Sequence, residues 1–125
     1  MDKVIHFELP VEDMDRAKKF YESAFQWNVN FVPEYKYAMV YTSPIDEKFM
    51  HKEKGTINGG MMKRNDKVKS PVITIGVENI DKAIENIKKN GGKIIGDKIK
   101  VGDMGISAYF QDTESNILGI WQNLK

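Results

Sequence analysis

Near the start of the chain Ile5, Phe7, Leu9 and Val11 alternate with Val4, His6, Glu8 and Pro10. A period of two is what a strand with one buried face requires. From Asp13 onward the apolar spacing becomes three and four, through Met14, Ala17, Phe20-Tyr21 and Ala24-Phe25. That stripe predicts a helix of about three turns with one apolar face. Asp13 offers a side-chain oxygen to cap the helix start, and Asp15 adds an acid near the positive end of its dipole. Shorter strand-like runs follow near 28–33, 37–41 and 59–63.

The same order of elements then returns. Shifting by 66 positions carries Leu9 onto Ile75, Val11 onto Val77, Glu12 onto Glu78, Asp15 onto Asp81 and Ala17 onto Ala83. Asp13 falls on Asn79, a second capping residue, and Arg16 falls on Lys82. Ile80, Ala83, Ile84 and Ile87 repeat the helical stripe, and Asn90-Gly91-Gly92 supplies residues that tolerate a left-handed helix end. Strand-like runs near 93–95, 105–110 and 117–122 complete the copy. The chain therefore reads as one strand–helix–three-strand module written twice, an α+β design. Residues 63–70 are the linker, with module one at about 1–64 and module two at about 70–125 of a single domain.

Composition narrows the possibilities. A length of 125 residues suits one domain, and 41% hydrophobic with 30% charged residues suits a globular one. No run approaches the ~20 apolar residues of a membrane helix, and no signal or targeting segment precedes the first strand, so a membrane role is not expected. The absence of cysteine removes disulfides, thiolate metal sites and a Cys nucleophile, and fits the cytoplasm. Net charge is +1, and the lysine-rich stretches lie among Asp, Glu and Gly rather than aromatic platforms, so nucleic acid is not expected as a partner.

Residues 43–56 form the longest stretch without periodicity and hold the second histidine, His51. Loops of that length serve as binding loops or as plain surface excursions. The neighbours Lys52, Glu53 and Lys54 favour a solvent-facing His51.

The pattern His6-x-x-Leu9-x-Val11-x-Asp13, then Arg16-Ala17, Phe20-Tyr21 and Phe25-x-Trp27, resembles the first module of the glyoxalase / bleomycin-resistance / ring-cleaving dioxygenase (vicinal oxygen chelate) superfamily. The segment Ile57-Asn58-Gly59-Gly60-Met61-Met62 resembles the close of that module in a lactoylglutathione-lyase-related subgroup. The run Phe110-Gln111-Asp112-Thr113-Glu114-Ser115-Asn116 resembles the Asp-Pro-Asp-Gly-Asn turn before the superfamily's last strand, with Pro and Gly replaced. This resemblance implies paired βαβββ modules that form a cupped, partly open barrel-like sheet with helices outside, a homodimer, and a small-molecule ligand on the concave face.

It also implies a divalent metal held by three or four ligands from His, Glu or Gln. His6 falls on the first ligand position. Its counterpart in module two is Val72, the final position falls on Gly119, and the end of module one falls around Gly60. Three of those positions offer no donor, so no metal or other cofactor is expected.

With His6 on the cup face, strand parity adds Glu8, about 7 Å along the same strand. Phe7, Leu9 and Val11 then face the helix, as do Leu118 and Ile120 in the last strand, with Ile117 and Trp121 on the cup side. His6 and Glu8 are the candidate catalytic residues. His6, Glu8, Thr74, Trp121 and Asn58 are the candidate ligand pocket. Each has a plainer reading: a half-buried histidine bonded to a neighbour, a glutamate satisfied by a cation, a glycine-rich strand crossing around Asn58. Three functions follow. The preferred one is a small-molecule-binding protein of the bleomycin-resistance type without the metal. The alternatives are a metal-dependent lyase or isomerase resembling glyoxalase I, and a metal-independent enzyme moving protons with His6 and Glu8.

Overall fold

The computed structural model describes residues 1–48 and 51–125; Phe49 and Met50, in the long loop, lie outside the described residues. The chain forms two compact units, 6–71 and 72–125, the latter taking in residues 1–5 as well. The first module comprises β1 (Lys3–Val11), α1 (Met14–Phe25), β2 (Asn28–Val32), β3 (Tyr37–Tyr41) and β4 (Gly59–Lys63), with a single 3-10 turn at Pro33–Tyr35. The second comprises β5 (Val72–Gly76), α2 (Ile80–Lys89), β6 (Lys93–Val101), β7 (Gly105–Gln111) and β8 (Ile117–Asn123). This is the α+β arrangement of paired βαβββ modules that the repeat predicts.

The strands of the first module run in the order β2-β3-β4-β1, and those of the second in the order β6-β7-β8-β5. In each, the first strand pairs in parallel with the last and the other contacts are antiparallel. The registers correspond residue for residue. Glu8 lies opposite Gly60 in the first module, and Thr74, 66 positions on, lies opposite Gly119 in the second. The caps match too: Asp13 Oδ1 accepts from the Arg16 amide at 3.0 Å, and Asn79 Oδ1 accepts from the Lys82 amide at 3.0 Å. Substituting either cap by alanine leaves an orphan amide in the first helical turn. Asp13→Ala and Asn79→Ala are each expected to lose about 1 kcal/mol of unfolding free energy in urea titrations.

Each helix covers its own core. In the first module Val29, Ala38, Val40 and Met61 are fully buried, with Phe7, Leu9, Val11, Met14, Ala17, Tyr21 and Trp27 packed around them. In the second, Ile80, Ala108, Phe110 and Ile120 are surrounded by Ile75, Val77, Ala83, Ile84, Ile87 and Leu118 among others. The inward parity of Phe7, Leu9, Val11, Leu118 and Ile120 is as the alternation predicts. Phe20 and Phe25 differ from the predicted stripe: both are more than half exposed. Phe20 sits beside Tyr21 and so points about 100° around the helix from the inward residue. Phe25 closes the last turn, where its ring meets Trp27 and Tyr21 instead of the sheet.

β6 outruns its predicted end at Ile95 by six residues. The apolar alternation stops at Gly96-Asp97, and Gly96 takes a φ of +72°. Pairing with β7 shifts register between Ile95 and Ile99 and then continues, so the glycine makes a bulge rather than an end. The 63–70 linker is tied down: Arg64 pairs with Glu12 at 2.8 Å, Asn65 Oδ1 accepts from the Lys67 and Val68 amides, and Val68 is buried.

Candidate functional site

Pairing and alternation assign one face of the first module's sheet away from α1. It carries His6, Glu8 and Pro10 on β1, Gly60 and Met62 on β4, Tyr37, Met39 and Tyr41 on β3, and Asn28 and Asn30 on β2. Lys36 ends the 3-10 turn in a left-handed conformation, its amide donating to the Pro33 carbonyl, and thereby starts β3 with Tyr37 on this face.

The Tyr37 phenol lies across the strand between it and β1. Its hydroxyl is hydrogen-bonded to His6 Nε2 at 2.7 Å, and the two rings are nearly parallel. The space it uses is Gly60: a Cβ built there would overlap the Tyr37 ring and hydroxyl. Glycine at 60, phenol at 37 and imidazole at 6 are therefore one interlocked unit. Burial holds the His6 pKa down at about 4, so the ring is neutral at physiological pH. Glu8, two residues on, is buried opposite Gly60.

The remaining predicted residues are placed as follows. Asn58 stands just before β4, where its side-chain oxygen accepts from the Thr42 amide at 2.8 Å and the Ser43 amide at 3.3 Å. It anchors the start of the long loop. His51 is exposed and its Nδ1 lies 3.2 Å from Thr56 Oγ1 and 3.4 Å from Ser43 Oγ, within that loop. In the second module Thr74 is buried, and a Cβ at Gly119 would meet its hydroxyl at 3.0 Å. Trp121 lies over Gly105, donates from Nε1 to Asn123 Oδ1 at 2.7 Å, and borders an open cleft of about 800 Å³ with Lys3, Ile5, Gly76 and Lys82. His6 and Glu8 thus share one face of the first module, while Thr74 and Trp121 belong to the second unit.

Tyr37 is the residue that the sequence reading missed. The signal was present: an antiparallel β3 beside β4 puts Tyr37, Met39 and Tyr41 on the face of His6, and a glycine on that face leaves a ring-sized space.

Comparison with known proteins agrees with this architecture. A family model described as bleomycin resistance protein-like N-terminal matches residues 3–43. A glyoxylase-like domain-containing protein of Didymella fabae is 31% identical over 116 residues, covering 87% of this chain and 84% of that protein. The chain belongs to the glyoxalase-like, vicinal oxygen chelate superfamily. A second relative from the superfamily, a lactoylglutathione lyase of Haemophilus influenzae, is 27% identical over 116 residues, covering 90% of this chain and 86% of that enzyme. Among solved structures, a hypothetical protein from Bacillus halodurans superposes with a TM-score of 0.68 at 14% identity, covering 99% of this chain and 96% of its own. Methylmalonyl-CoA epimerase of Streptomyces coelicolor, in complex with 2-nitronate-propionyl-CoA, superposes at 0.69 with 15% identity, covering 98% of each chain. These likenesses show the fold.

The positions that the resemblance assigns to a metal carry residues that do not fit a cation. They supply one imidazole, whose Nε2 is taken by Tyr37, together with Val72 and the glycines at 60 and 119. A hard or borderline divalent ion needs several anionic or strongly basic donors, and hydrocarbon and hydrogen provide none. Among the described residues, no three His, Cys, Asp or Glu side chains come together as a metal site. Nor, among them, is any helix long and apolar enough to cross a membrane.

Proposed function

We propose that this protein binds a small molecule on the sheet face of its first module, in the manner of the bleomycin-resistance branch of its superfamily, without a metal. The observation that carries this reading is the 2.7 Å hydrogen bond between His6 Nε2 and Tyr37 over Gly60. It commits the one family-type donor to a phenol and uses the volume that a second ligand side chain would need. What the face offers is hydrogen-bonding groups beside the thioethers of Met39 and Met62, the mixture of apolar lining and a few polar groups that small-molecule sites use.

The reading extends to a cytoplasmic homodimer, as the cysteine-free composition and the resemblance suggest. A second reading, proton transfer by His6 and Glu8, draws on their shared face and on the epimerase among the structural neighbours. The depressed pKa makes His6 a weak base at neutral pH, so Glu8 would have to take the proton. The named lyase relative supports the metal-dependent alternative, which the donor set opposes.

A screen of aromatic compounds by intrinsic tryptophan fluorescence, run with and without EDTA, tests the proposal. Ligands that bind are expected to keep the same Kd in EDTA. Binding that appears only after metal is added would refute the metal-free reading. Catalysed loss of a carbon-bound proton, abolished by Glu8→Gln and indifferent to EDTA, would move the assignment to the proton-transfer enzyme.

A further inference from the structure

We propose that the cleft where β2 meets the end of β3 binds a neutral, hydroxyl-rich molecule of sugar type. The inference rests on the small-molecule-binding reading above, and it names the part of the first module that holds the ligand and the ligand's chemical class.

The cleft measures about 500 Å³, within the range of small-molecule sites, and is lined by Gln26, Asn28, Asn30, Tyr41, Thr42 and Ser43 together with Pro44 and Ile45. Asn28 lies opposite Tyr41 in register, and Asn30, two residues on, shares their face. The side chains of Asn28, Asn30 and Tyr41 make no hydrogen bond to another described residue, and no described aromatic ring packs on Tyr41. Asparagine is a poor strand former. Two of them in a five-residue edge strand therefore cost stability that no hydrogen bond within the protein returns.

Gln26 carries a similar cost. It ends α1 in the left-handed region at φ 58°, where glycine is the usual residue and a longer side chain is strained. Its Nε2 donates to the Ser23 carbonyl at 3.2 Å, which leaves its side-chain oxygen to the cleft. Positions 26, 28 and 30 thus set three carboxamides at alternate residues along one side of the cleft.

The walls are fixed in advance. Thr42 Oγ1 donates to the Ile57 carbonyl at 2.6 Å, Ser43 Oγ donates to Thr56 Oγ1 at 2.8 Å, and Asn58 Oδ1 accepts from both of their amides. Glu22 Oε2 accepts from the Val29 amide at 3.0 Å and so pins β2 between its two asparagines. A site held in this way saves most of the ordering cost of binding.

Charge and shape select the ligand. In a chain with 30% charged residues, none of those lining the cleft carries a charge. An ion would lose hydration there and find no countercharge. Sugar hydroxyls each donate and accept, and a carboxamide offers an acceptor beside two donors. The C–H face of a sugar ring finds an apolar partner in the Tyr41 ring.

The full chain, labelled with ¹⁵N, reports through the side-chain amide signals of Gln26, Asn28 and Asn30. Three probes are titrated: methyl β-glucoside, its charged counterpart methyl β-glucuronide, and adenosine. The glucoside is expected to shift the Asn28 and Asn30 signals with a Kd at least about tenfold below those of the other two. Asn28→Leu and Asn30→Leu replace exposed residues by better strand formers. Each is expected to weaken the glucoside about tenfold without lowering the urea midpoint. Gln26→Gly is expected to raise that midpoint, by relieving the left-handed strain, and yet to weaken the glucoside, a split that a purely structural role would not produce.

No shift of these signals by the glucoside up to about 100 mM would overturn the proposal. Glucuronide or adenosine binding as tightly as the glucoside would overturn the ligand class, and undiminished affinity in Asn30→Leu would overturn the place. If the leucine variants fail to fold, undiminished affinity in Gln26→Gly does so instead. An aromatic compound that keeps its Kd in EDTA leaves the proposed function standing when the cleft fails, whereas a metal requirement defeats that function however the cleft variants behave.

Discussion

Met61→Ala is expected to destabilise the protein by about 2–5 kcal/mol, the range for removing a large aliphatic side chain from a close-packed core. Met61 is fully buried at the centre of the first module, on the strand that pairs with both β1 and β3, and it sits between Leu9 and Ala38 in register. Neither neighbour can collapse into the vacated space without breaking ladder hydrogen bonds, which argues for the upper half of the range. Ile120 takes the corresponding place in the second module, opposite Ile75 and Ala108, and Ile120→Ala should cost a similar amount. Urea unfolding followed by far-ultraviolet circular dichroism measures both. A loss below about 1 kcal/mol for either would mean that the site is less tightly packed than its burial indicates.

Acidification supplies the second large effect. The folded protein holds the His6 pKa at about 4, against an ordinary 6.5 in the unfolded chain, and the cause is burial. Between those values the unfolded chain binds a proton that the folded protein refuses. Stability from this group is therefore complete above about pH 6.5 and is lost as the pH falls toward 4, by roughly 3 kcal/mol in all. Asp112 acts at lower pH. The Asn116 amide and side chain and the Glu114 amide hold its carboxyl below the usual range, so its contribution is lost only as that carboxylate is protonated. Unfolding free energies measured at intervals between pH 7 and pH 4 should fall for the wild type, and His6→Gln, which has no proton to gain, should flatten the curve. An unchanged slope in that variant would assign the acid sensitivity to another group.

Much of the fold was legible because two periodicities and a repeat constrain the same residues. The alternation around Leu9 and its copy around Ile75 locate β1 and β5. The caps at Asp13 and Asn79, 66 positions apart, fix the starts of both helices, and in the structure both accept from the amide three residues on. The misreadings have local causes. Gly96 interrupts the apolar pattern without ending β6, because a bulge absorbs the residue that breaks register. Phe20 and Phe25 satisfy a helical spacing yet lie at the flank and end of α1, where no sheet covers them.

The site was legible by halves. His6 and Glu8 follow from parity along one strand, a short-range rule. Tyr37 depends on pairing across two strands and on the volume missing at Gly60, which emerges only when β3, β4 and β1 are brought together in register. Asn58 showed its glycine-rich context but not its partners, since Thr42 and Ser43 reach it across the long loop.

His6 is proposed to belong to a hydrogen-bonded pair and not to a metal centre. Titration of untagged, chelator-treated protein with nickel, zinc and manganese, followed by calorimetry and metal analysis, tests it most directly. No stoichiometric uptake of any of the three is expected. Tight one-to-one binding that disappears in His6→Ala would contradict it.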